Sequence, residues 1–187
     1  DTIFYISNGL IPKRAAGYNW KGVVQGNTKD NLWEETYDIE DLPQVIQPKS
    51  GYFYNANHTP FKSTDSLENP PSDNFSKDMG FEEYDNNRST RLKQLIDGFD
   101  LISYSDFKRI KYDTKFPEKF NYSFMNIDSL FLIDPDKYPN LKPIIKEIQE
   151  WDRETHANSY GAGAYGILYS YLRKYYNKLQ KPRIFTE

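Results

Sequence analysis

Helical periodicity is absent from this chain until about residue 86 and then governs it, and that asymmetry limits the folds open to it. Leu92, Leu95 and Ile96 form one apolar set at three- and four-residue spacing, and Phe107 and Ile110 form another. Leu141, Ile144, Ile145, Ile148 and Trp151 make a third set, and Tyr165, Leu168, Tyr169, Leu172 and Tyr176 a fourth. Each stripe gives a helix a face to bury. The flanking residues agree with four helices. Gly98 stands where a left-handed cap ends a helix, Ser103 and Asp106 have the spacing of a capping box, and Pro143 falls in a first turn that tolerates it.

Before residue 86 the signals are short and broken. Thr2 to Ser7 is rich in β-formers and stops at the turn pair Asn8-Gly9, and Tyr52 to Tyr54 reads as a second short strand. Between them Gly17, Gly22, Gly26, Pro43 and Pro48 punctuate a long loop, of a length that compact domains keep for function or pack on other structure. Residues 62–80 are polar, carry Pro70-Pro71 and read as another exposed loop. The expected class is α+β, one partial domain over 1–187, with strands and loops over 1–85 and helix dominant over 86–187.

Composition narrows the function. With 37% hydrophobic residues, 16 Tyr and 12 Phe, a core is within reach, built from rings whose polar ends need partners. Against 27 acidic residues the 24 basic ones leave a net charge of −3, which gives no footprint for nucleic acid. The absence of cysteine excludes disulfides, thiol catalysis and cysteine-bound zinc. No stretch approaches the roughly 20 apolar residues that span a bilayer, so no membrane partner is expected. The chain opens at Asp1 and runs almost at once into apolar sequence, which reads as a piece of a longer protein.

Few motifs carry chemistry on their own. His58 and His156 are the only histidines, and neither has metal-ligand spacing. GAGAYG at 161–166 lacks the preceding strand of a nucleotide loop and reads as close helix packing or a helix start. Asp134 with Asp136, and Glu82 with Glu83, read as solvated surface. The four N-x-S/T sequons, at Asn57, Asn74, Asn87 and Asn121, are what a chain rich in Asn, Ser and Thr carries by chance. Asn55 and Asn57, closing the aromatic run GYFYNANHTP, stand out because strands disfavour Asn. Two readings stay open. An Asn before a proline turn forms Asx-type turns, and an uncharged amide can donate to a developing oxyanion.

Taken in order, NGLIPKR at 8–14, GYNWKG at 17–22, LPQVIQPKSGYFYNANHTPF at 42–61 and NNRSTRLKQLI at 86–96 resemble the penicillin acylase family. These are the N-terminal nucleophile hydrolases that include acyl-homoserine lactone and cephalosporin acylases. The most specific segment is P-x-S-G-Y-x-x-N-x-N-x-x-P, and the likeness is strongest over the first 100 residues or so. The resemblance implies a four-layer α/β/β/α sandwich of which this chain is an interior fragment of the β chain. It implies a nucleophilic N-terminal Ser freed by autoproteolysis whose α-amino group acts as base. In that pattern the second Asn of N-x-N, here Asn57, donates to the oxyanion, and Arg88, with Arg91 as the competing register, orients the site. Asn55 then shapes the turn. Asp1 is not a nucleophile of this kind, so the chain alone is expected to be inactive. No cofactor is required in the fragment; calcium is a feature of several members, and its implied contributors here are the Trp20 carbonyl and Glu68 or Asp65. The implied partners are a small-molecule acyl amide substrate, the α chain and the N-terminal part of the β chain, in the periplasm or outside the cell. The alternative is a non-catalytic, Tyr-rich binding or scaffold domain.

Overall fold

Strand β1 (Phe4–Ile6) finds its partner in β2 (Gln44–Ile46), and Tyr52–Tyr54, expected as a short strand, does not form one. The computed structural model describes residues 2–122 and 125–180, and within it β1 and β2 pair antiparallel with Phe4 opposite Ile46, Tyr5 opposite Val45 and Ile6 opposite Gln44. Val45 is buried, while Phe4 and Ile46 lie exposed on the other face of the two-stranded sheet. Tyr52–Tyr54 runs extended without entering a ladder because side chains take its bonds. The Thr64 hydroxyl donates to the Tyr52 carbonyl at 2.7 Å, and Tyr54 N–H donates to the Ser63 carbonyl at 2.8 Å.

The chain divides into two compact units, Asp1–Asp85 and Asn86–Glu187. The first is held by the small sheet, a bridge between Pro12 and Thr36, and a series of 3-10 turns. Residues 62–80 are not simply an exposed loop: Ser63, Thr64 and Met79 are buried.

The second unit holds four α-helices. Helix α1 (Asn87–Ile96) starts at a reciprocal capping box in which Asn86 accepts the Ser89 N–H and Ser89 Oγ accepts the Asn86 N–H, both at 3.0 Å. Helix α2 (Tyr104–Lys111) uses Ser103 and Asp106 in the same way. Gly98 does not adopt the left-handed cap conformation. Instead Gly98 and Phe99 donate to the carbonyls of Leu95 and Ile96, so short-range turns use up the free carbonyls at the end of α1.

Helix α3 (Lys142–Gln149) begins with Pro143 in its first turn and buries Ile148. Helix α4 (Tyr160–Gln180) turns Gly161 and Tyr165 inward, with Leu168, Tyr169, Leu172 and Tyr176 half-buried along the same face. Ile127, Trp151 and Tyr165 form the centre of this core, with Phe116, Phe120, Tyr122 and Phe131 packed around them. The Tyr122 and Tyr165 hydroxyls share a hydrogen bond of 2.8 Å, and burial raises both phenols above their ordinary range, Tyr165 the more strongly. Gly161 is required by a close approach: a Cβ there would lie 2.5 Å from Cβ of Trp151. The glycine-rich run is thus both a helix start and a packing contact. No described helix is long and apolar enough to cross a membrane.

Arg91 on α1 grips Asp113, just after α2, with a fork of two bonds, Nε to Oδ2 at 2.9 Å and Nη2 to Oδ1 at 2.7 Å. The two side chains are 24% and 17% exposed, so water screens the pair only partly. Asp113→Ala is expected to lower the unfolding free energy at pH 7 by about 2 kcal/mol, in the range of charge-assisted hydrogen bonds. The Arg91 guanidinium holds the Asp113 carboxyl below the usual carboxylate range. A depressed folded pKa means that this stability is complete above the unfolded value, about 3.9, and is lost as pH falls through the folded one. Urea unfolding should therefore show the gap between wild type and variant closing below about pH 4.

Candidate functional site

The segment from Gln47 to Asn69 forms a loop whose shape is fixed almost entirely by short polar side chains. It opens at two left-handed residues, Gln47 (φ 47°) and Gly51 (φ 75°). Gln47 N–H donates to the Ile3 carbonyl at 3.0 Å and its side chain accepts the Ile3 N–H at 3.1 Å, which ties the loop to the end of β1. At its far side one residue, Asn69, accepts the N–H groups of Ser63 and Thr64 at 2.7 and 3.0 Å and donates to the carbonyls of Thr64 and Asp65.

Between these anchors the chain turns at Asn55-Ala56-Asn57. Asn55 Oδ1 accepts the Asn57 N–H at 2.8 Å, an Asx turn. Asn57 itself sits at φ 54°, in the left-handed region, and is exposed on the crest of the turn. Asn tolerates that region better than most residues with a Cβ. His58 lies beneath, buried and stacked on Tyr54 with centroids 4.9 Å apart. Its Nδ1 accepts the Ala56 N–H at 3.2 Å, so the ring proton is on Nε2 and donates to the Lys62 carbonyl at 3.0 Å. With both nitrogens engaged, His58 is a brace for the turn and not a metal ligand or general base.

The remaining bonds are buried or partly buried. Thr59, fully shielded from solvent, accepts the Phe61 N–H with Oγ1 and starts the 3-10 turn Pro60–Lys62. Ser63 Oγ donates to the Pro60 carbonyl at 3.0 Å. Because the Thr64 hydroxyl donates to Tyr52, Ser50 Oγ must donate to Thr64 Oγ1, 3.0 Å away. Ser50, Ser63 and Thr64 are held as structural donors and Thr59 as a structural acceptor. None of Thr59, Ser63, Thr64 or Asn69 was marked by the sequence pattern, although each is a short polar type that bonds readily to nearby backbone.

Glu68 closes the base of the loop: its carboxylate accepts the backbone N–H groups of Lys49 and of Ser50, the latter at 2.9 Å. Hydrogen bonding from Ser50, assisted by Lys49, keeps its carboxyl below the usual range. Asp65 accepts the Leu67 N–H at 3.3 Å. Among the described residues no three His, Asp or Glu side chains are grouped to hold a metal.

Arg88 lies exposed in the first turn of α1, in the second unit, whereas Asn57 lies in the first. A cation in a helix's first turn opposes the helix dipole, so helix stability does not account for it. Arg91, the other register, is committed to Asp113. Position 1 and residues 181–187 lie outside the described residues, as does Ser123 of the Asn121 sequon. The family model described as penicillin amidase matches residues 1–184.

Proposed function

The chain belongs to the penicillin amidase family, a family of amide hydrolases, and on that premise we propose that it supplies the oxyanion-binding loop of such an enzyme. The substrates we assign are N-acylated small molecules, of penicillin type or acyl-homoserine-lactone type. The observation that carries this reading is the division of labour in N-x-N. Asn55 is consumed by the turn, and the turn lifts Asn57 onto an exposed crest over a buried polar scaffold. A donor to a developing charge needs that kind of preorganisation, because a loop that reorganises during the reaction gives back what the hydrogen bond gains.

The mechanism follows from the family's chemistry. An N-terminal Ser on another segment attacks the amide carbonyl carbon, its own α-amino group taking the hydroxyl proton. The carbonyl oxygen becomes an oxyanion, and the Asn57 amide donates to it. Collapse of the intermediate breaks the C–N bond, the amine leaves with the proton, and the acyl-enzyme is hydrolysed by water through a second oxyanion at the same donor. Arg88 orients the site, a choice supported by the commitment of Arg91 to Asp113. Calcium, where the assembled protein holds it, would take most of its ligands from outside these residues, with the Trp20 carbonyl and Glu68 or Asp65 as contributors. On this reading the chain is part of the four-layer sandwich and works beside an α chain and an N-terminal β segment, in the periplasm or outside the cell.

The isolated 187-residue chain should release no acid from phenylacetyl or fatty-acyl amides. Steady turnover by the isolated chain, abolished by Asn57→Ala, would show that the nucleophile is internal and overturn the fragment reading.

A further inference from the structure

A second concave site in the first unit has a different chemistry from the Asn57 turn. It encloses about 290 Å³. Arg14, Lys21 and Lys77 face it, and Asp78 is the one carboxylate among its lining residues. None of the three cations forms an ion pair among the described residues. Arg14 Nε is moreover buried with no acceptor there. Three cations against one carboxylate favour a negatively charged ligand.

The walls are set in advance. Arg14 Nη1 donates to the Asp78 carbonyl, and the guanidinium lies 5.4 Å from the Trp33 ring. Gly80, at φ 77°, makes room for it, since a Cβ there would come within 2.6 Å of Nη1. Trp20 is fixed by a 3.0 Å bond from Nε1 to the Ala15 carbonyl and packs against Tyr18 with centroids 5.6 Å apart. An aromatic wall beside a fixed guanidinium and two lysines suits a flat or ring-bearing anion, and the volume suits a small one.

We propose that this pocket binds an organic carboxylate that carries a flat ring, the carboxylate meeting Arg14, Lys21 and Lys77 and the ring lying against Tyr18 and Trp20. The site goes beyond the oxyanion loop, and binding there requires no turnover, so it stands or falls independently of the hydrolase reading. Phenylacetate is the probe. Titrated into the ¹⁵N-labelled chain, it should give saturable shifts of the Trp20 Nε1–H and Arg14 Nε–H resonances. Phenylacetamide, which keeps the ring and loses the charge, should bind at least about 10-fold more weakly. The Lys21→Gln/Lys77→Gln double variant alters two exposed side chains and should weaken phenylacetate by roughly 10-fold with the spectrum otherwise unchanged. Equal binding of the amide, unchanged affinity in the double variant, or no saturable shift would each overturn the proposal. Inorganic phosphate binding as tightly as phenylacetate would overturn the ring-bearing class.

Discussion

Replacing Asn57 with glycine in the assembled enzyme should cut kcat by about 10²–10³, or about 2.7–4 kcal/mol of barrier, while leaving the melting temperature where it was. The choice of glycine matters because Asn57 sits at φ 54°. Alanine there would add roughly 1–2 kcal/mol of backbone strain to the loss of the amide, and a fall in activity would then confuse a distorted turn with a missing donor. Glycine keeps the left-handed conformation and deletes only the side chain. The Asx bond survives too, because it uses the Asn57 backbone N–H and the Asn55 side chain. Asn57→Asp is the complementary variant. It preserves the residue's tolerance of the left-handed region but presents an acceptor and a negative charge to the oxyanion, so its loss should be at least as large. Since a donor of this kind acts on the transition state more than on the bound substrate, KM should move little. A glycine variant that keeps kcat within a few-fold of wild type would reduce Asn57 to a turn residue.

The separation of the two asparagines shows how much of the site was legible. That one of them makes a turn follows from residue type, because Asn before proline has few better uses. That the turn raises its partner into the left-handed region depends on His58, Thr59 and Asn69 bonding to backbone several residues away, and no local pattern announces those bonds. The sequence also disguised the scaffold. Residues 62–80 have the composition of a solvated loop, yet Ser63 and Thr64 are buried because their hydroxyls and amides all find partners inside the loop. Polarity predicts exposure only where hydrogen bonds are left to water.

The helices were easier for the opposite reason. The capping box at Ser103 and the stripe of α4 are local signals, satisfied within one or two turns, whereas Leu141 and Ile144 of the stripe read for α3 lie exposed. Sheet pairing is not local. Tyr52–Tyr54 has better strand residues than Gln44–Ile46, but β1 chose the latter, whose ladder is free of competing side-chain bonds.

Trp151→Ala should cost the second unit about 3–5 kcal/mol, the largest stability loss expected from a single substitution in this chain. Trp151 lies beyond the end of α3, where nothing about helix propensity protects it, and is nonetheless buried. Its ring sits 5.1 Å from Tyr165 and 5.8 Å from Phe116, and its Nε1 donates to the Glu154 carbonyl at 2.7 Å. Alanine would therefore open a ring-sized cavity, remove an aromatic stack and leave the Glu154 carbonyl without that donor. The cavity cannot close cheaply from the α4 side: Gly161 is already packed at the limit of approach to the Trp151 Cβ, which alanine retains. Arg153 would lose one of the rings around its guanidinium, though it keeps Phe131 at 3.6 Å. A single domain is stable by only about 5–15 kcal/mol, so the variant should be partly unfolded well below the wild-type midpoint. Urea unfolding followed by far-ultraviolet circular dichroism reads the helices and does not need the deleted indole. Trp151→Phe, which restores most of the ring but not the donor, should recover more than half of the loss. A cost below about 1 kcal/mol for alanine would mean that the ring cluster is not the core, because that is less than the transfer of such a side chain alone should give. On the role proposed for Arg88, which the same unit carries, the alanine variant should lose activity in the assembled enzyme with temperature, in step with helix loss, whereas Asn57→Gly should lose it at every temperature.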